Sequence, residues 1–144
     1  KIFIITPLLS LEMKVVVFEN VLTDIKEGFD LVNDYFFENT LEFKYFTSSQ
    51  ELGDVSNISE YDIAFVDIAL SSNSDLDGVY LIKEILSASG VKAPEIVIIT
   101  GQTKIKPVLE EHNLGHIPVL QKPFISEEVK KKIQSAINKI ESLK

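Results

Sequence analysis

The stretch Tyr61-Asp62-Ile63-Ala64-Phe65-Val66-Asp67-Ile68-Ala69-Leu70 constrains the chain more than any other. Ile63 to Val66 is an unbroken apolar run with two β-branched members. A short run of this kind, set between polar segments, predicts a strand buried on both faces, as in a parallel sheet. Asp67 falls where that strand would leave the sheet. In open α/β sheets, ligands bind in the crevice at the carboxyl ends of the strands. Three other predicted strands end on reactive groups: Val15-Val16-Val17-Phe18 on Glu19 and Asn20, Ile96-Val97-Ile98-Ile99 on Thr100, and Val119-Leu120 near Lys122. Carboxylates, an amide, a hydroxyl and an ammonium are thereby delivered to one edge of one sheet.

The remaining sequence supports that layout. Lys14 to Phe18 reads as the first strand. Leu22, Ile25, Phe29, Val32 and Phe36 then recur at helical spacing. Leu41 to Phe46 alternates apolar and polar, which predicts a strand with one wetter face at a sheet edge. Ser48 to Ser59, with Gly53 and several Ser and Asn residues, predicts a short, loosely packed second helix. Asp77 is the expected N-cap of a third helix carrying Val79, Leu81, Ile82, Ile85 and Leu86, with Gly90 as its stop. Glu95 to Thr100 is a strand, and Pro107 suits the first turn of a short helix. Ser126 is the expected cap of the last helix, whose stripe is Val129, Ile133, Ile137 and Ile140. Five strands alternating with five helices predict an α/β fold: a doubly wound five-stranded parallel sheet, flavodoxin-like order 2-1-3-4-5, with helices on both faces.

Composition narrows the function classes. The 144 residues are expected to form one domain over 13–144, with residues 1–12 an N-terminal extension or linker. The opening Lys1 to Leu9 has an apolar core, but Pro7 interrupts it and no small-residue cleavage site follows. A net charge of -8 argues against direct binding to nucleic acid or to an anionic membrane. With no cysteine, disulfides, thiolate metal sites and cysteine nucleophiles are excluded. No apolar run is long enough to span a membrane, and a cytoplasmic location is expected.

An aspartate can accept a phosphoryl group as an acyl phosphate, provided the transferred charge is neutralised. A divalent metal held by neighbouring acids and a lysine together do this, and a hydroxyl one strand over can bind a phosphoryl oxygen. Asp67, Glu19, Lys122 and Thr100 match these roles. Each alone has a plainer reading: Asp67 as a loop cap, Lys122 as a solvated charge, Thr100 as a β-former. Their joint position at the strand ends carries the argument. His112 and His116 read as polar loop residues, since no nearby acids or cysteines complete a metal site. Lys130, Lys131 and Lys132 read as a solvated helix face.

From Met13 onward the chain resembles the CheY-like receiver domains of two-component response regulators. The matching pieces are Val17-Phe18-Glu19-Asn20, Phe65-Val66-Asp67, Asp77-Gly78, Ile99-Thr100-Gly101 and Leu120-Gln121-Lys122-Pro123-Phe124. The resemblance implies that Asp67 is the phosphoacceptor, Thr100 the switch hydroxyl and Lys122 the phosphate-binding lysine before a cis Pro123. It places Mg²⁺ at Glu19, Asn20, Asp67 and the Ala69 backbone carbonyl. It implies a histidine kinase or phosphotransfer protein as donor and a downstream protein or fused output domain as target. It implies self-catalysed phosphotransfer and autodephosphorylation rather than enzymatic turnover of a small molecule. Three positions depart from the pattern. Glu19-Asn20 has one carboxylate fewer than the family's acidic pair, so weak Mg²⁺ binding is expected. The loop after Asp67 is long and lacks the common proline. Val119 stands where the family carries an aromatic ring.

A phosphorylation-independent pseudo-receiver, acting as a protein-interaction module, is the alternative those departures suggest. Enzymes of similar topology fit less well. A flavodoxin needs a Ser/Thr/Gly-rich phosphate loop, which Phe18-Glu19-Asn20-Val21-Leu22 is not. An aspartyl phosphatase of the haloacid-dehalogenase type needs Asp-x-Asp, and Asp67-Ile68-Ala69 lacks the second acid.

Overall fold

A computed structural model describes residues 12–70 and 73–143. Residues 1–11 lie outside the described residues, and with them nearly all of the segment expected to be an extension. Five parallel strands form one sheet in the order β2-β1-β3-β4-β5. They are β1 (Lys14–Phe18), β2 (Glu42–Phe46), β3 (Ile63–Asp67), β4 (Glu95–Thr100) and β5 (Val119–Gln121). The α-helices are α1 (Leu22–Phe36), α2 (Gly78–Ser87), α3 (Lys106–Glu111) and α4 (Ser126–Ser142). The expected order 2-1-3-4-5 is therefore observed, with β2 at one edge.

The unbroken apolar runs follow from burial on both faces of the sheet. Val15, Val17, Ile63, Phe65, Val97 and Ile99 point to one side and pack with Ile25, Phe29 and Val32 of α1 and with Val129, Ile133 and Ala136 of α4. Val16, Phe18, Ala64, Val66, Ile96 and Ile98 point to the other side and meet Ile58, Ile82, Ile85 and Leu109. An alternating pattern would leave one of these layers polar, which a sheet covered twice does not tolerate. Phe29 anchors the first layer, with its ring 4.9 Å from Phe65 and 6.0 Å from Phe124 between centroids.

Three sequence expectations need correction. The helix expected over Ser48 to Ser59 is two 3₁₀ turns, Ser49–Leu52 and Val55–Glu60, so the described residues form four α-helices where five helices were expected. Gly53, at φ 80°, ends the first turn, and the Asp54 side chain accepts from Ser56 N at 2.9 Å to start the second. The positive φ at Gly53 divides the segment into two pieces, each too short for a stable α-helix. The last helix starts at Ser126 itself, so Ser126 is not its cap. Glu128 reaches back to accept from Ile125 N at 3.0 Å and fills that role. Helix α2 ends at Ser87, before Gly90, whose φ of 72° turns the chain towards β4.

Candidate functional site

Register brings the acids together. β1 and β3 pair in parallel with Phe18 opposite Val66, so the next residues, Glu19 and Asp67, leave the sheet side by side. β4 is staggered by one, placing Ile99 opposite Asp67 and Thr100 one step further out. Thr100 is opposite Gln121, which sets Lys122 just beyond the last strand. The Lys122–Pro123 peptide is cis, as the resemblance implied.

Lys122 closes the site. Its Nζ donates to Asp67 Oδ2 at 2.7 Å and lies 2.6 Å from Glu19 Oε1. Asp67 is 3% exposed and Glu19 fully buried, whereas the Lys122 side chain keeps 30% of its surface. Asp67 Oδ1 accepts from Ala69 N at 2.8 Å, so backbone and lysine each hold one carboxylate oxygen. Glu19 Oε2 accepts from Val21 N at 3.3 Å. Glu19 Oε1 is buried, and its close partner is the Lys122 ammonium at 2.6 Å.

Burial is the main reason the Glu19 carboxyl is pushed up to about 7, and the adjoining Asp67 carboxylate adds to it. Lys122 opposes this rise. Burial alone would lower the lysine, but its contacts with Asp67 and Glu19 outweigh that, and its pKa is raised. It is therefore a fixed cation at physiological pH.

The other expected residues are placed less directly. Thr100 is 2% exposed, and its Oγ1 accepts from Gln102 N at 3.0 Å. It is at the neighbouring strand end, tied to its own loop rather than to the acids. Asn20 is exposed on the loop after β1, and Ala69 is exposed just beyond Asp67. Direct contact thus unites Glu19, Asp67 and Lys122, with the Ala69 amide on Asp67, while Thr100 and Asn20 stand at the neighbouring strand ends.

Two supporting features were not read from the sequence. Gly78 opens α2 against the backbone that follows Asp67. A Cβ there would overlap the Asp67 carbonyl oxygen and come within 2.6 Å of Ile68 Cα. Gly78 N donates to Ile68 O at 3.1 Å, and Asp77 caps the helix by accepting from Tyr80 N. The Asp77-Gly78 pair therefore seats a helix on the loop that carries the central acid. Gly78→Ala is expected to cost on the order of 1–3 kcal/mol in urea denaturation, because the obstacle is rigid backbone. The second feature is a clamp on the long loop. Ser49 N donates to Ser74 Oγ at 2.8 Å, Leu76 N to Ser49 Oγ at 3.0 Å and Asp75 N to Gln50 Oε1 at 2.8 Å. Ser and Asn side chains readily bond backbone, and here the partner backbone is the loop before α2.

No protein-family model and no curated protein matches the chain. Solved structures do. A putative response regulator from Chloroflexus aurantiacus J-10-fl is 20% identical with a TM-score of 0.69, covering 88% of this chain and 98% of that one. The CheY-like response regulator receiver domain from Methylobacillus flagellatus is 20% identical with a TM-score of 0.64, covering 86% and 98%. The receiver domain of a modulated diguanylate cyclase from Desulfovibrio desulfuricans G20 is 19% identical with a TM-score of 0.68, covering 91% and 98%. The chain has the CheY-like receiver fold, and the similarity spans almost all of each of these domains.

Proposed function

We propose that the chain is a phosphoacceptor receiver domain of a two-component signalling system, taking phosphate from a histidine kinase or phosphotransfer protein on Asp67. The observation that carries this reading is the Asp67–Lys122 contact of 2.7 Å at the carboxyl end of the central strand. A carboxylate oxygen of Asp67 attacks phosphorus, the P–N bond to the donor imidazole breaks, and the departing nitrogen takes a proton. The product is an acyl phosphate on Asp67. Ala69 N holds Oδ1 during the step, and Lys122 is placed to pair with a phosphoryl oxygen. Water attacking the same phosphorus returns the free carboxylate, which is autodephosphorylation.

The donor set suits Mg²⁺. Glu19 and Asp67 supply carboxylates, Asn20 an amide oxygen and Ala69 a carbonyl, all hard oxygen ligands. The buried Oε1 of Glu19, now met by Lys122 at 2.6 Å, faces the Asp67 carboxylate and would be shared with the ion. Bound there, the ion would neutralise charge on the transferring phosphoryl group. Asn20→Asp adds a carboxylate and is expected to tighten Mg²⁺ by roughly tenfold, from on the order of 1–4 kcal/mol of attraction at surface-like dielectric. Calorimetric titration of both proteins measures this, and equal affinities would remove Asn20 from the ligand set.

The acyl phosphate is read out by a partner protein or a fused output domain; one solved neighbour is the signal receiver domain of a modulated diguanylate cyclase. Intact mass after acetyl phosphate and Mg²⁺ tests the proposal. A gain of one phosphoryl group is expected. No gain at millimolar Mg²⁺ would favour the phosphorylation-independent interaction module.

A further inference from the structure

The acidic surplus is unevenly distributed. Residues 12–77 contain three lysines and fifteen acids, whereas residues 78–143 contain nine lysines and seven acids. The strand order β2-β1-β3-β4-β5 turns this difference in sequence into one in space, with the β2 side strongly negative. On that side two 3₁₀ turns replace the expected helix. They leave a groove of about 290 Å³ against the loop before α2 and the helix itself.

The groove has an apolar floor and an acidic rim. Leu52 and Leu81 are buried beneath it, and Val55 and Leu76 are partly buried beside them. Asp75 and Glu84 stand exposed at its edge. Among the described residues the ion pairs are those of Lys122 with Glu19 and Asp67, so neither rim carboxylate is paired with a lysine. The clamp of Ser49 and Gln50 on the loop holds the Asp75 backbone in place. A partner would not have to order this wall on binding, which lowers the entropic cost.

We propose that this groove docks an arginine side chain presented by a partner protein. Arginine has an apolar stem that covers apolar surface and a charged head that stays at the rim. Its planar head carries five donors and is weakly hydrated, so it can serve two carboxylates at lower desolvation cost than an ammonium. The negative field of the β2 half favours approach of such a cation. This docking does not depend on phosphate at Asp67.

Amide chemical shifts of the ¹⁵N-labelled chain, titrated with N-acetyl-arginine amide, test the proposal. Saturable shifts at residues 49–55 and 75–84 are expected, with a dissociation constant in the millimolar range. N-acetyl-norleucine amide, which keeps an apolar stem without the charge, should bind at least fivefold more weakly. So should the arginine probe on the double variant Asp75→Asn, Glu84→Gln, whose exposed substitutions leave the core untouched. Equal binding by the norleucine probe, an unaffected double variant, or shifts spread evenly over the acids of α1 would each overturn the proposal.

Discussion

Asp67→Asn abolishes covalent uptake of a phosphoryl group: the wild-type chain gains one phosphoryl mass from acetyl phosphate and Mg²⁺, and the variant gains none. The loss is expected to be complete, because a carboxamide oxygen is a poor nucleophile. Asparagine matches aspartate in size, and its oxygen can still accept from Ala69 N, where the carboxylate now accepts at 2.8 Å. The backbone geometry of the site should therefore survive. Lys122 loses one carboxylate and keeps Glu19, 2.6 Å away. Removing the Asp67 charge also removes one of the influences that raise Glu19. The variant should thus fold at least as well as the wild type near neutral pH, so failure to fold does not confuse the readout. Phosphoryl mass persisting in Asp67→Asn would move the acceptor elsewhere and undo the assignment of the whole site.

The positions of Glu19, Asp67 and Thr100 were legible because β1, β3 and β4 carry unbroken buried apolar runs that end where these residues stand. Lys122 follows a strand of only three residues, and its place rests on the pairing of Thr100 with Gln121. Side-chain directions were not legible to the same degree. The sequence placed Thr100 with the acids, but its hydroxyl bonds Gln102 N, and no periodicity announces a bond to the next loop. The segment 48–59 misled for a different reason. Its apolar residues, Leu52, Val55 and Ile58, recur at three-residue steps. That spacing serves a 3₁₀ turn as well as a short helix, and the bonds of Ser49 and Gln50 to the loop at 73–76 decide between them. Asp77 was legible as a helix cap, whereas the closeness of Gly78 to the Asp67 carbonyl exists only once α2 packs on β3.

Metal-free protein is expected to gain stability as the pH falls from 8 to 5, the reverse of the usual carboxylate behaviour. The group responsible is Glu19, fully buried and pushed up to about 7, against an ordinary 4.5. Between these values the folded chain holds a proton that the unfolded chain has released, so raising the pH favours unfolding. Below 4.5 both states are protonated and the penalty vanishes. Above 7 both are ionised and it is at full size. Glu51 and Asp54 act in the opposite sense, since hydrogen bonds from Thr47 and Ser56 hold them below their ordinary values. They lose their contribution only as the pH falls through the low carboxylate range, so they do not mask the slope between 5 and 8. Lys122 is raised from an already basic value and does not titrate in this window. Urea denaturation at pH 5, 6, 7 and 8 with a chelator present measures the effect. Glu19→Gln keeps the shape and removes the titration, so its stability should be nearly flat over that range and exceed the wild type at pH 8. Saturating Mg²⁺ should flatten the wild-type profile too, because an ion bound to ionised Glu19 stabilises the folded state most where the proton has left. A slope that persists unchanged in Glu19→Gln would place the buried proton on another group and leave Glu19 ionised beside Lys122 at neutral pH.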